Sequence, residues 1–324
     1  MKLTNFLDSQ LGRSLTLQLA RLEAKKWTTL NVEGYNVCNL RCKMCPYSIM
    51  TRKKTLMPLE LYEHLIDEAK AFDIRTINLN IYNEPLLDPL LFERVAYAKS
   101  QNMLVQFTSN GMLLGSSEIS NILSTKVDRI YFSVDGATRN TYEKIRQGGD
   151  FDKVRQNIAT LLERRSILPK VEIVMVVQND NYSEVNAFHN MWKGIADDTY
   201  CWPVDNRKEE GHLPESFKAS RHKLPLPCSR VFEELNVLSN GEVALCCLDY
   251  DGKQLLGDAY SNSLSDVWNS SVAQAIRSYH LEGRGDEILL CSRCDALHAC
   301  GLSWWGKLLP TKLARLVSQQ RMKG

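Results

Sequence analysis

The sequence predicts an α/β fold: a partial (β/α)6 barrel of the TIM type, followed by a small cysteine-rich α+β extension made of a β-hairpin and a helix. Three observations lead there. Short β-rich runs alternate with helical stretches about six times between residues 28 and 205. Polar clusters recur at the ends of the β-rich runs, where parallel α/β folds keep their chemistry. The ten cysteines fall in two groups, three at positions 38, 42 and 45 and the other seven from Cys201 onward, which predicts two separate sites.

In chain order, "TTLNVEGYNV" (28–37) is a strand leading into the first cysteine. "PLELYEHLIDEAKAF" (58–72) sets Leu61, Leu65, Ile66 and Ala69 on one helical face. "RTINLNIY" (75–82) alternates as a strand, 88–101 is helical, and "MLVQFTSNG" (103–111) is strand plus turn. "VDRIYFSVDG" (127–136) repeats that pattern. A helix at 151–165, a strand at 170–178 and a helix at 182–195 complete the run before "YCWPV". Six units fit an open barrel better than a closed eightfold one.

Periodicity then stops. Residues 203–227 hold four of the ten prolines, so 206–227 reads as a linker after a core of 28–205 within a first domain of 1–205. "FEELNVLSNGEVALCC" (232–247) is a hairpin turning at Asn240-Gly241, and 264–279 is a helix, giving a second domain of 228–300. The tail, 301–324, has five basic residues and no acidic one. Leu309, Leu313 and Val317 give it an apolar stripe, read as packing on the domain, with membrane contact as the alternative.

The net charge of +2 argues against a nucleic-acid binder. No apolar run approaches the roughly 20 residues that span a bilayer. The first residues lack a signal-peptide pattern, so a cytoplasmic location is expected. In a reducing cytosol clustered thiols bind metal or do chemistry more often than they form disulfides.

"CNLRCKMC" (38–45) offers three thiols and no fourth. Soft thiolates suit zinc or an iron–sulfur cluster. The spacing favours the cluster, with zinc and a distant fourth ligand left open. A four-iron cluster on three thiolates keeps one iron open for a small chelating ligand. Further polar clusters end the next strands: "NEP" (83–85), "TSNG" (108–111) and "SVDG" (133–136).

This loop resembles the signature of the radical S-adenosylmethionine (radical SAM) superfamily, Cys-x3-Cys-x2-Cys with an apolar residue, here Met44, before the last cysteine. The resemblance spans about residues 28–300 and implies a [4Fe-4S] cluster on Cys38, Cys42 and Cys45 that chelates SAM. It further implies reductive cleavage of SAM to a 5′-deoxyadenosyl radical that takes a hydrogen atom from the substrate. Where the family has Gly-Gly-Glu-Pro for the SAM amino group, this chain has Tyr82-Asn83-Glu84-Pro85, keeping Glu84 and losing both glycines. Ser109 and Asn110 match the turn near the ribose, and Ser133 and Arg155 match positions expected to contact SAM. Val174 is the expected adenine neighbour on its strand, and Asp135 reads as a turn residue.

The second group resembles the SPASM extension in its shorter, twitch-like form. The resemblance implies one auxiliary [4Fe-4S] cluster on Cys228, Cys246, Cys291 and Cys294, with Cys300 an alternative to Cys294 and a four-cysteine zinc site still open. Cys201 reads as a core residue. Cys247 is a candidate hydrogen-atom donor, weighed against a hairpin residue facing the core.

The expected activity is a radical SAM oxidation of a small polar substrate, sugar- or cyclitol-like. Peptide modification (epimerisation, crosslinking or maturation) comes second, and a non-catalytic metal-binding protein third. Expected partners are that small molecule or peptide and an external electron donor such as flavodoxin or ferredoxin.

Overall fold

The computed structural model describes residues 10–23, 27–204, 227–292 and 294. Most of the linker, the basic tail and Cys300 lie outside these residues.

Six strands form the barrel wall: β1 (Thr29–Val32), β2 (Thr76–Asn78), β3 (Leu104–Ser109), β4 (Arg129–Ser133), β5 (Lys170–Val177) and β6 (Asp198–Pro203). All their pairings are parallel and follow chain order. The fold is therefore α/β with an open, partial barrel. Helices return the chain between strands: α2 (Leu59–Ala71), α3 (Leu91–Ser100), α4 (Ser116–Thr125), α5 (Arg139–Ile145), α6 (Phe151–Arg164) and α7 (Val185–Trp192), with α1 (Gln10–Glu23) preceding them. Each buries one stripe; on α6 it is Phe151, Val154, Ile158 and Leu161. Asp150 caps α6 by accepting the Lys153 N–H, and Thr138 does the same for α5 from Thr141.

The two faces of the wall differ. On β4, Ile130 and Phe132 are fully buried in the helical layer, whereas Arg129, Tyr131 and Ser133 are half-buried. On β3, Val105 and Phe107 are buried, and Gln106 and Thr108 are half-buried. The inner face is thus polar and partly wet, because an open barrel does not fill its interior with side chains as a closed one does.

The extension continues the same sheet. Strand β7 (Glu234–Val237) pairs in parallel with β1, Leu30 opposite Leu235. β8 (Glu242–Ala244) and β9 (Leu255–Asp258) follow antiparallel, so the nine-stranded order is β6-β5-β4-β3-β2-β1-β7-β8-β9. The expected hairpin turn is present. Gly241 takes φ +88°, and a Cβ there would meet the Tyr260 ring at 2.6 Å. Helices α8 (Arg230–Glu233), α9 (Leu264–Asn269), α10 (Ser271–Leu281) and α11 (Leu289–Ser292) complete the extension. Val243, Val267 and Trp268 join the main core, while Val231, Phe232, Leu245, Ile276 and Ile288 form a smaller cluster with Ala20 of α1. Backbone pairing and a shared core therefore link the two sequence regions directly.

Candidate active site

β1 is shorter than the sequence pattern suggests: it ends at Val32, the chain bends at Gly34, and between them lies Glu33. That side chain is fully buried and gathers four donors. Arg52 supplies two, at 2.6 and 2.9 Å, and the N–H groups of Tyr82 and Ser239 supply the others, at 3.2 and 3.3 Å. Arg52 Nε also donates to the Tyr250 carbonyl at 2.7 Å. Asn36 closes the loop on itself, donating to Lys53 O at 2.9 Å and accepting from Thr55 N–H at 2.7 Å.

The cysteine loop is seated from two sides. The N–H groups of Arg41 and Lys43 donate to the carbonyls of Gln147 and Ile145, at 3.0 and 2.8 Å. The Glu84 N–H donates to Val37 O at 2.8 Å, bringing the second motif against the first. Lys43 and Lys144 clamp Asp180, each at 2.7 Å.

Cys38, Cys42, Met44 and Cys45 line a cavity of about 230 Å³ together with Tyr82, Glu84, Ser109, Asn110 and Ser133. The sequence-selected residues from four separate strand ends therefore meet. Glu84 organises them. Its Oε1 accepts from Ser109 Oγ at 2.8 Å and Leu86 N–H at 3.2 Å, and its Oε2 accepts from Asn110 N–H at 2.7 Å. Burial pushes the Glu84 carboxyl above its ordinary range, and these donors oppose the shift. Asn110 Nδ2 reaches Asn39 Oδ1 at 2.8 Å, tying the third strand end to the cysteine loop.

Two expected contacts lie elsewhere. Arg155 is exposed on α6, its guanidinium 5.5 Å from the Phe151 ring centre, and is not among the cavity residues. The buried arginine at the cavity is Arg146, just beyond α5. It grips Asp135 through Nε at 2.8 Å and Nη2 at 2.7 Å, while Nη1 stands 3.7 Å from Cys42 Sγ. Asp135, read as a turn residue, is fully buried and also accepts the Val176 N–H at 2.6 Å. Val174 is likewise not a cavity residue: its carbonyl accepts the Val134 N–H at 2.8 Å, and Val176, two residues on, lines the cavity instead. Arg146 escaped the sequence reading because an arginine ending a helix usually reads as solvated; the glycines at 148 and 149 after it were the available signal.

Of the second cysteine group, Cys246 and Cys291 both pack on the smaller core cluster. The Cys294 N–H donates to Cys291 O at 3.0 Å, and the Leu248 N–H points at Cys246 Sγ at 3.4 Å. His280, not selected from sequence, is 1% exposed and lies between Cys228 and Cys291. Burial lowers its pKa to about 4. The structure does not bring Cys247 to the cavity. The turn after β8 directs it to Arg230, whose Nη1 is 3.0 Å from its sulfur. Cys201 is half-buried on β6, 3.5 Å from His189 Nε2.

These residues fit a cluster and SAM. Burial pushes the thiol of Cys38 to about 11 and that of Cys45 to about 12, and raises Cys42 as well. Such thiols ionise at neutral pH when a metal centre supplies the positive charge. The cavity wall pairs polar groups at Glu84, Ser109 and Ser133 with apolar Met44 and Val176, as a ligand with charged and aromatic ends requires.

An open barrel whose first loop carries three thiols to a cavity that Glu84, Ser109 and Ser133 also line fits an iron–sulfur enzyme. Residues 32–191 match the radical SAM superfamily, and residues 228–295 match the SPASM iron–sulfur cluster-binding domain. The chain belongs to the radical SAM superfamily and carries a C-terminal SPASM domain. Its cofactors are accordingly SAM, a SAM-binding [4Fe-4S] cluster and an auxiliary [4Fe-4S] cluster.

Among curated relatives, it is 26% identical over 161 residues to the tungsten-containing aldehyde ferredoxin oxidoreductase cofactor-modifying protein of Pyrococcus furiosus, covering 48% of this chain and 45% of that protein. It is 27% identical over 307 residues to mycofactocin maturase MftC of Mycobacterium tuberculosis, covering 81% of this chain and 74% of that one. To the S-adenosyl-L-methionine-dependent 2-deoxy-scyllo-inosamine dehydrogenase of Niallia circulans it is 21% identical, covering 84% of this chain and 94% of that one. The fold is similar to BtrN in complex with AdoMet and 2-DOIA (TM-score 0.60, 17% identity, 84% and 94% covered). It is also similar to Streptococcus suis SuiB bound to precursor peptide SuiA (TM-score 0.66, 13% identity, 82% and 70% covered). Among the described residues no helix is long and apolar enough to cross a membrane.

Proposed function

We propose that this protein oxidises a small polar substrate, sugar- or cyclitol-like, by hydrogen abstraction from carbon. The observation that carries the reading is the meeting of three thiols with Glu84, Ser109, Asn110 and Ser133 around one cavity. Cys38, Cys42 and Cys45 would hold the SAM-binding cluster, and Cys228, Cys246, Cys291 and Cys294 the auxiliary one. When bound, cluster and SAM together supply an electron and a carbon-centred radical able to take a hydrogen atom from an unactivated carbon.

The chain's own residues prepare that site. Arg146 places a cation beside the Cys42 sulfur and is itself fixed by Asp135. Glu84 locks the Ser109–Asn110 turn, so the donors and acceptors facing SAM are set before it binds. Met44, Val176 and Val204 contribute apolar lining to the cavity. The half-buried polar inner face, with Asn78, Gln106, Thr108 and Tyr131, supports a hydroxyl-rich substrate. Coverage of nearly the whole length of the Niallia circulans dehydrogenase supports the same choice. An external electron donor of the flavodoxin or ferredoxin type completes this reading.

Peptide modification is the second reading, favoured by the similarity to MftC and to the peptide-bound SuiB fold. Anaerobic reconstitution tests both. Around eight irons per chain and 5′-deoxyadenosine release on reduction with SAM are expected. Loss of two hydrogens from a polyol supports oxidation, whereas deuterium uptake or crosslinking in a peptide supports the second reading. Two bound zincs and no SAM cleavage would overturn both.

A further inference from the structure

We propose that His280 is a positioning residue for the auxiliary cluster, donating an Nε2–H···S hydrogen bond to the Cys291 thiolate. The inference rests on the assignment of Cys291 as a cluster ligand made above.

The ring's geometry assigns its proton. His280 closes α10 and is 1% exposed. Its Nδ1 faces the backbone N–H of Cys228 at 3.4 Å. That N–H can only donate, so Nδ1 accepts and carries no proton. The proton therefore sits on Nε2, which stands 3.7 Å from Cys291 Sγ. One ring thus spans two cysteines that are 63 positions apart in the sequence.

The surroundings hold the ring in this pose. Phe232 presents its ring at 6.5 Å between centroids and 75° between planes. On another side is Gly285, where a Cβ would stand 2.7 Å from Nδ1. Gly285 also opens the 3-10 turn that delivers Ile288, whose carbonyl accepts the Cys291 N–H at 2.9 Å. The same short segment therefore leaves room for the imidazole and positions its sulfur partner.

A hydrogen bond to a cluster sulfur favours the more electron-rich, reduced state, and so raises the cluster's potential. For an oxidation that leaves an electron on the protein, this makes the auxiliary centre a better acceptor. His280 would act on the electron's destination without touching the substrate.

The test uses full-length reconstituted enzyme, wild type beside H280F and H280Q. Phenylalanine removes the donor, and glutamine places an amide N–H close to the position of Nε2. Iron content comes first, then EPR-monitored redox titration of both clusters. H280F is expected to weaken reduction of the auxiliary cluster by about tenfold, equivalent to about 59 mV for one electron, while H280Q stays within about twofold of wild type. The SAM-binding cluster should not move in either. ENDOR should detect an exchangeable proton coupled to the auxiliary cluster in wild type and H280Q, but not in H280F. An unmoved auxiliary potential in H280F, with about eight irons present, would overturn the role of His280 alone. About four irons in wild type would overturn the ligand assignment, and the inference with it. If H280F fails to assemble, absence of the coupled proton in wild type, or direct coupling to a bound imidazole nitrogen, refutes the hydrogen bond.

Discussion

Replacing Arg52 by methionine should open the joint between the cysteine loop and the extension. In the native structure the Glu33 carboxylate is 0% exposed and faces four donors. The two short contacts, 2.6 and 2.9 Å, come from Arg52; the two long ones, 3.2 and 3.3 Å, come from backbone. R52M removes the charged pair and leaves a buried carboxylate between weak partners. Breaking a buried ion pair from one side costs about 3–5 kcal/mol. The Tyr250 carbonyl loses its donor as well, adding roughly 1 kcal/mol. At about 2–4 °C per kcal/mol, the melting temperature should fall by on the order of 10 °C. E33Q should cost less, about 1–3 kcal/mol, because the amide still accepts one of the Tyr82 and Ser239 N–H groups, which bond to different carboxylate oxygens, and strands only the other.

The double variant E33L/R52M separates charge from packing. With both charges gone there is no stranded carboxylate, so more than half of the loss should return, giving a large coupling in a double-mutant cycle. Thermal unfolding reads the stability. Hydrogen exchange of amides 249–252 reads the joint, since Arg52 binds Tyr250 and the Thr51 N–H binds Asp251 Oδ1 at 2.7 Å. The reasoning fails if R52M melts within about 2 °C of wild type, or if the double variant is as unstable as the single one.

Three further outcomes follow from the same contacts. E84Q must turn its NH2 toward either the Asn110 N–H or the Leu86 N–H, which Glu84 accepts on different oxygens at 2.7 and 3.2 Å; SAM affinity should fall about tenfold in equilibrium binding with iron content unchanged. G34A would place a Cβ 2.1 Å from Asp88 Oδ2, which pairs with fully buried Arg94 at 2.9 Å, and urea unfolding should show a loss of roughly 3 kcal/mol or more. Asp180 is held below its ordinary value of 3.8 by hydrogen bonds from Lys144 and Lys43. Its contribution is therefore present above 3.8 and lost as pH falls through the lower folded value, so D180N should be less stable than wild type at neutral pH and converge on it in acid, flattening the acid limb of a stability–pH profile.

What the sequence revealed and what it hid follow one physical division. Period-two and period-3.6 patterns report burial against a single layer, so the first five barrel strands were legible, as was the Asn240-Gly241 turn. The thiol triad was legible because its spacing is local. Arg146 was not, because its significance depends on Asp135 and Cys42, one strand end and one loop away. Glu33 reads as an ordinary polar residue at the end of a strand, and only the fold shows that Arg52, Tyr82 and Ser239 converge on it. Val174 and Val176 share a strand face, so pattern alone does not choose between them; Val176, nearer the C-terminal end of β5, is the one that lines the cavity. The parallel pairing of β7 with β1 was also out of reach, since register across more than 200 residues leaves no local trace.

The altered Tyr82-Asn83 pair acquires a reason from that pairing. Because β7 extends the sheet beside β1, the loop carrying Tyr250 is brought over the second motif, and the rings of Tyr82 and Tyr250 meet edge to face at 6.0 Å and 79°. The Tyr82 N–H is spent on Glu33, and Asn83 Oδ1 accepts the Ile81 N–H at 3.0 Å, fixing the turn through a side chain. Two glycines in these places would leave the turn to backbone alone and offer the extension no ring. Tyr82 and Asn83 thus replace conformational freedom at the cavity with a rigid contact to the extension. Glu33, Arg52, Tyr82 and Tyr250 then form one connected unit between the cysteine loop and the turn that follows Cys246. The extension thus backs the cavity through Tyr250, which packs on the lining residue Tyr82.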